Sequence, residues 1–218
     1  MSTRTVKDMI SEVRDNTNNN GKSRFTDIML MRFFDSASRH IQMTVYNAYP
    51  QDPVFYNFQD YTVEPNQTAF QLPSNMLGPH TIYSIVPLRL DGSKSDPLHR
   101  LSLQEVSTEY GYLLRGRFFE ISLTSLVGLS SISKIRINYA KKWDRIDSVD
   151  STPEIPEILE EFMTMYVERK INYVDSSADI LNSNIFTSEE RAAMVALYAD
   201  MARDPKQVPT GQDTYISY

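Results

Sequence analysis

Close pairs of acidic residues are the side chains in this sequence best suited to acid–base chemistry. The pairs are Glu160 with Glu161, Glu189 with Glu190, and Asp147 with Asp150. Cleavage of a glycan needs two carboxyl groups that face each other across the substrate, one of them with a raised pKa. The glutamate pairs instead stand at the starts of predicted helices, where they complement the helix dipole, and the aspartate pair stands in a polar linker. We therefore expect these carboxylates to have structural roles.

Other residue types that carry catalysis or bind metals are sparse. His40, His80 and His99 have no second histidine or carboxylate at metal-ligand spacing. The absence of cysteine removes disulfides, thiolate metal sites and a cysteine nucleophile. With seven glycines and no GxSxG or HExxH motif, a phosphate-binding loop or a hydrolase site is hard to build. We expect no enzyme, no cofactor and no metal ion.

Trp143 is the only tryptophan, and it lies among basic residues in KKWDR. Such a residue can stack on nucleic-acid bases or on a cation. It can also anchor the end of a strand to the linker that follows, which the sequence favours, or face a neighbouring subunit. The net charge of −6 argues against binding of nucleic acid through phosphate contacts.

Hydrophobic periodicity predicts two helices near the N-terminus. Residues 5–14 carry apolar side chains at helical spacing, and Thr5 with Asp8 forms a capping box. A longer helix is predicted from Asp27 to Tyr49, with Thr26 as its N-cap and prolines after its end.

Two more helices are predicted near the C-terminus. One covers 154–174, begins with prolines and glutamates, and ends with basic residues. The other covers 188–203, where Thr187 and Glu190 form a capping box. No apolar run resembles a signal peptide or approaches the ~20 residues of a membrane span.

The middle of the chain has the texture of β-structure. Its short segments are rich in aromatic and β-branched residues, with turn residues between them, and alternation is clearest at Ile135, Ile137 and Tyr139. Ser102 with Glu105 and a glycine at 111 predict one short helix over 101–111.

The predicted fold class is therefore α+β, a helical bundle from the N- and C-terminal helices with an inserted β-rich region. The expected parts are 1–52 (helices of the bundle), 53–150 (β-rich insertion), 151–204 (helices of the bundle) and 205–218 (extended tail). The tail has three prolines or glycines and no helical period, so we expect it to order only on binding.

The sequence as a whole resembles the head-to-tail adaptor (connector) proteins of tailed bacteriophages, of the short-tailed ring-protein type. The segment TVKDMISEVRDN, a polar loop and FTDIMLMRFFDSASRHIQ are similar to the opening of that family. The later FxLP step at Phe70–Pro73 and the closing segment Glu154–Ile158 stand in the family's order. The resemblance covers roughly residues 3–175.

The resemblance implies a non-enzymatic virion protein that forms a ring, usually of twelve copies. The ring would dock on the portal protein of the capsid, extend the DNA channel and offer a platform to a downstream tail or nozzle protein. DNA would pass without sequence-specific binding, no membrane would be involved, and the chain would be made in the host cytoplasm. Rings of identical chains are closed by heterologous contacts.

A candidate interface is predicted where one helix carries more apolar residues than a single buried face would contain. The helix over 154–174 has two apolar faces, which fits either a second partner in a neighbouring subunit or burial of both faces inside one four-helix bundle. The candidate subunit or portal contacts are Ile155, Leu159, Phe162, Met163, Tyr166, Val167, Ile171, Trp143 and, in the tail, Val208, Tyr215 and Tyr218. Two alternatives remain open, a cell-wall glycan hydrolase of the virion and a soluble binding module.

Overall fold

The computed structural model describes residues 4–17, 25–64, 67–105, 110–122, 132–175 and 185–203. Within these ranges the protein is mixed α+β, with four α-helices and two β-sheets, as the predicted class requires. The helices are α1 (Val6–Asn16), α2 (Asp27–Ala48), α3 (Glu160–Asp175) and α4 (Ser188–Arg203). None of the helices in the described ranges is long and apolar enough to cross a membrane.

The chain divides into two compact units. One is Met1–Tyr49 together with Trp143–Tyr218, and it contains the four helices. The other is Pro50–Lys142, and it contains both sheets. In the helical unit, α2 packs against α1, α3 and α4.

Side-chain caps define where three of the helices begin, as predicted. The hydroxyl of Thr5 accepts a hydrogen bond from the Asp8 amide, and the Asp8 carboxylate accepts one from the Thr5 amide, which forms the capping box of α1. Thr26 accepts from the Met29 amide at the start of α2, 3.3 Å away. Thr187 and Glu190 exchange the same pair of bonds before α4. Each cap satisfies amides that the first turn leaves without partners.

Helix α3 begins later than predicted. A 3-10 turn covers Glu157–Leu159, and the α-helix begins only at Glu160. Pro156 has an extended backbone with ψ near 133°, and a proline also disfavours the helical region for the residue before it. The predicted start at 154 was therefore wrong.

The β unit contains two sheets. Its strands in the described ranges are β1 (Tyr56–Thr62), β2 (Ala69–Gln71), β3 (Ile82–Arg89), β4 (His99–Arg100), β5 (Gly111–Arg115), β6 (Phe118–Ile121) and β7 (Ile132–Ala140). One sheet has the order β1-β7-β3 and is antiparallel throughout. The other has the order β2-β6-β5-β4, in which only β4 and β5 pair in parallel.

One apolar core contains side chains from both sheets. Ile135, Ile137 and Tyr139 all belong to it, which confirms the alternation predicted for that strand. Phe70 and Phe119 from the other sheet stack with ring centroids 5.2 Å apart. Full burial of a side chain of this size contributes about 1.5–3 kcal/mol, so this core stabilises the packing of the two sheets.

The predicted helix over 101–111 was wrong where the chain is described. Residues 103–105 form a turn, the Glu105 carboxylate accepts a 2.7 Å hydrogen bond from the Ser102 amide, and Gly111 opens β5; residues 106–109 lie outside the described ranges. A Cβ at Gly111 would lie 2.3 Å from the carbonyl oxygen of His99. The glycine therefore allows β4 to approach β5 and does not end a helix.

Candidate interaction surfaces

Both apolar faces of α3 are buried inside the single chain. None of the seven predicted contact residues on and just before this helix is more than 8% exposed. They are Ile155, Leu159, Phe162, Met163, Tyr166, Val167 and Ile171. The ring of Tyr166 lies 5.3 Å from that of His40 on α2 and 5.7 Å from that of Phe186, which precedes α4.

Helices of the same chain therefore account for the two-faced pattern. Burial of both faces within the isolated chain fits the second of the two explanations that the sequence left open, in which both faces are buried inside one four-helix bundle. Contact of these side chains with another subunit or with a portal stays a prediction, and a closed core leaves little of their area for such a contact.

Trp143 follows β7 closely and is buried with the helical unit. It is 7% exposed, and its amide donates to the side-chain oxygen of Gln42 on α2 at 3.2 Å. A buried indole offers no platform for nucleic-acid bases in the free chain. The position fits the anchoring role that the sequence favoured; a contact with another subunit stays a prediction.

The two glutamates of the acidic pair on α4 have different environments. Glu190 accepts hydrogen bonds from both terminal nitrogens of Arg169, at 2.8 and 2.5 Å, while Glu189 is exposed. The Arg169 hydrogen bonds, with that from the Thr187 amide, lower the pKa of Glu190 to about 2. A general acid needs the opposite shift, so this carboxylate is a helix cap and an ion-pair partner.

The acidic pair at the start of α3 is similarly divided. Glu160 is buried, and its Oε2 lies 3.9 Å from Nη1 of Arg4. Its Oε1 has no hydrogen-bond partner among the described residues. Glu161 is exposed, as are Asp147 and Asp150 in the linker. None of the three pairs presents two facing carboxyls to a common cleft.

His40 lies beside a cavity of about 470 Å³ in the helical unit. Burial, followed by the positive charges of Lys170 and Arg191, lowers the pKa of His40. The residues around the cavity are His40, Met43, Thr44, Asn47, Ile185, Phe186 and Arg191. The other histidines are distant in sequence and lie in the β unit, His80 in the 3-10 turn Pro79–Thr81 and His99 in β4.

The sequence did not predict an exposed aromatic surface on the three-stranded sheet. Tyr56 and Phe58 point to the outer face and are 43% and 47% exposed. The guanidinium carbon of Arg136 lies 4.3 Å from the centroid of the Phe58 ring, and its nitrogens donate to the Asp60 carboxylate at 2.7 and 2.9 Å. Tyrosine, phenylalanine and arginine are enriched in protein interfaces. The aromatic residues at alternate positions 56 and 58 were a weak sequence signal that the two rings share one face of the strand.

Hydrogen bonds of Tyr56 also order its ring. Its hydroxyl donates to Oδ1 of Asn138 at 2.7 Å, and the Asn138 amide donates to the Ser84 hydroxyl at 2.7 Å. The ring of Tyr56 stacks on that of Tyr83, with centroids 6.3 Å apart. A partner binding here would lose little side-chain entropy, since the rings are already held.

Among the described strands, β1 lies at one end of its sheet, and none of them pairs with its outer edge. The amide of Lys141 donates to the Phe55 carbonyl, and the amide of Val63 donates to the Ser133 carbonyl, so the odd-numbered residues of β1 pair with β7. The backbone groups of Phe58, Asp60 and Thr62 therefore point away from the sheet. We call these groups, together with the exposed rings of Tyr56 and Phe58, the β1 edge.

The three tail residues in the predicted contact set, Val208, Tyr215 and Tyr218, lie outside the described residues, so their contacts stay predictions.

A comparison with protein-family models matches residues 4–210 to the SU10 adaptor protein model. The match covers almost the whole chain, including both units. A search of curated proteins finds no significant match.

Proposed function

Because the chain belongs to the SU10 adaptor protein family, we propose that it joins the capsid portal to the tail and extends the DNA channel. Membership makes the chain a structural adaptor of a phage virion, which associates with other head and tail proteins and for which a non-enzymatic role is implied. The family match over residues 4–210 is the observation that carries the proposal.

The proposed assembly is a closed ring of identical chains of the short-tailed phage type, with twelve copies as the expected number. In each copy the four helices form a bundle and the β unit is inserted between α2 and α3. A ring needs two different patches on each chain that fit each other. The exposed rings of Tyr56 and Phe58 support the existence of one such patch.

The charge of the chain fits a channel that does not hold DNA. The net charge is −6, and a negative wall repels the phosphate backbone. Passage of the genome without sequence-specific binding is what an adaptor requires.

The proposed partners are further copies of the chain, the portal protein and a downstream tail or nozzle protein. The tail residues Val208, Tyr215 and Tyr218 are proposed contacts, since apolar side chains on a segment rich in turn residues suit binding-coupled ordering. The buried residues of α3 are the weaker part of the proposed contact set, because a neighbour reaches them only if the helices rearrange.

The proposal is tested by the mass of the assembly. Native mass spectrometry of the purified chain, alone and mixed with the portal ring of the same phage, measures whether copies join the portal and in what number. We expect a fixed multiple of the chain on each portal ring, twelve in the proposed assembly. A chain that leaves the mass of the portal unchanged would contradict the proposal.

A further inference from the structure

Four backbone amides of β1, those of Tyr56, Phe58, Asp60 and Thr62, point away from β7, and the first two have hydrogen-bond partners. The Tyr56 amide donates to the Pro53 carbonyl, and the Phe58 amide donates to the Asn57 side chain at 2.9 Å. The outward amides of Asp60 and Thr62 have no partner among the described residues. The run from the Phe58 carbonyl to the Thr62 amide is thus a short template for one added strand.

The opposite edge of the same sheet is covered by the chain itself. The Ser95 amide donates to the Pro87 carbonyl at 2.9 Å, and the Leu98 amide donates to the Ile85 carbonyl at 2.8 Å. In the other sheet, the carbonyl of Gln71 on β2 accepts from the Tyr61 hydroxyl, and β4 has only two residues. Among the described strands, β1 combines length with an open edge.

The side chains of β1 do not protect this edge by charge. Natural edge strands commonly carry lysine, proline or a bulge that discourages pairing. The seven residues of β1 contain one charged side chain, Asp60, and Arg136 already binds it. An uncharged strand with aromatic side chains would suit this surface, because it would place its rings beside Phe58.

This chain contains a segment of that chemistry after α4. Residues 214–218 have the sequence TYISY, whose side chains are uncharged, which contains no proline or glycine, and which consists mostly of residues that favour strands. Residues 204–218 could span about 50 Å when extended, at ~3.3 Å per residue. The length of the free edge, from Phe58 to Thr62, matches these five residues.

We propose that residues 214–218 of a second copy add to the β1 edge as an extra strand. This inference rests on the proposed ring, since a tail that enters the next copy makes a heterologous contact of the kind that closes a ring. The backbone of the added strand would supply binding energy, and its tyrosines would contact Tyr56 and Phe58.

Disulfide trapping tests the pairing, and the absence of natural cysteine makes it clean. One full-length copy carries Thr62→Cys. A second, tagged copy carries a single cysteine at one position of 214–218. The two copies are mixed, assembled on the portal ring and oxidised. We expect trapped dimers whose yield alternates with a period of two along the tail, by about threefold or more, because alternate residues of a strand face opposite ways.

Three control variants test whether the tail docks at this edge. Ser93→Cys places an exposed thiol elsewhere in the β unit and should give a low yield without alternation. Thr62→Pro removes an outward amide but no bond to β7, so it should prevent docking of the tail while the sheet remains intact. Thr62→Ala should assemble as the unmodified chain does.

The outcomes separate this inference from the proposed function. Assembly on the portal without trapped dimers, or with a flat yield along the tail, would overturn the strand pairing and leave the adaptor function standing. Trapping within a single chain would overturn the assignment to a second copy. Failure of the unmodified chain to join the portal would overturn both.

Discussion

Arg136 on β7 binds Asp60 on β1 through two parallel hydrogen bonds of 2.7 and 2.9 Å, while its guanidinium covers the ring of Phe58. The planar fork of arginine matches both carboxylate oxygens, and both partners are little more than a quarter exposed. This contact holds the face of the β1 edge in one geometry.

Replacement of Arg136 by glutamine should destabilise the β unit modestly and in a pH-dependent way. The Arg136 hydrogen bonds lower the pKa of Asp60, so the pair stabilises the fold above the ordinary carboxyl pKa and loses this effect as the pH falls below it. We expect a loss of about 1 kcal/mol at neutral pH that shrinks in acid, measured by urea unfolding. A loss of equal size at all pH values would contradict the role of the ion pair.

Replacement of Glu190 by glutamine should weaken the junction between α3 and α4. The pKa of Glu190 is about 2 in the folded chain against an ordinary 4.5. Its contribution is therefore complete above about 4.5 and is lost as the pH falls toward about 2. Since Arg169 is one-third exposed, we expect no more than about 1 kcal/mol.

Glu189→Gln is the matched control for this effect, because Glu189 is its exposed neighbour on the same turn. Thermal unfolding of both variants across the acid range decides the question. An equal effect of the two substitutions would point to the helix dipole in place of the Arg169 contact.

Met163→Ala should destabilise the isolated chain, because Met163 is fully buried on the second face of α3. Truncation of a buried methionine leaves a cavity and costs about 2–5 kcal/mol. Asn172→Ala, at an exposed position of the same helix, should change the free energy of unfolding little. If Met163→Ala left the free chain as stable as before and destabilised only the assembly, the second face of α3 would be a contact with the neighbouring subunit.

Gly111→Ala should be strongly destabilising, since its Cβ would meet the backbone of His99 at 2.3 Å. Either β4 separates from β5 or the substituted residue shifts, and we expect a loss of about 2–3 kcal/mol by chemical denaturation. Substitution of a glycine that only ended a helix would lower the free energy of unfolding by about 1 kcal/mol. A loss that small would favour the helix predicted over 101–111.

Local signals predicted much of the helical unit. The caps at Thr5, Thr26 and Thr187 depend on contacts within a few residues, and the sequence shows all three. The late start of α3 was missed, because the pattern of apolar residues continues through Pro156 although its backbone does not.

Long-range pairing explains what the sequence did not reveal. The Ser102 amide does donate to the Glu105 carboxylate, but the contact lies in a turn after β4. β4 pairs with β5, and the paired residues are about twelve positions apart, which local periodicity does not connect. The β1 edge was hidden for the same reason. Whether a strand lies at an edge depends on its neighbours in the sheet, which composition does not give.

The division of the helical unit into two separated stretches of sequence has a consequence for the order of folding. Phe34, Ile41 and Val45 of α2 are fully buried in a unit whose other half begins only at Trp143. During synthesis the ribosome adds the whole of Pro50–Lys142 before the second stretch of the helical unit exists. The β unit is therefore complete before the helical unit is, and it has the first opportunity to fold. A β unit that folds first pairs Tyr56 with Ala140, so the two ends of the insertion are already close and less chain entropy is lost when α2 meets α3 and α4.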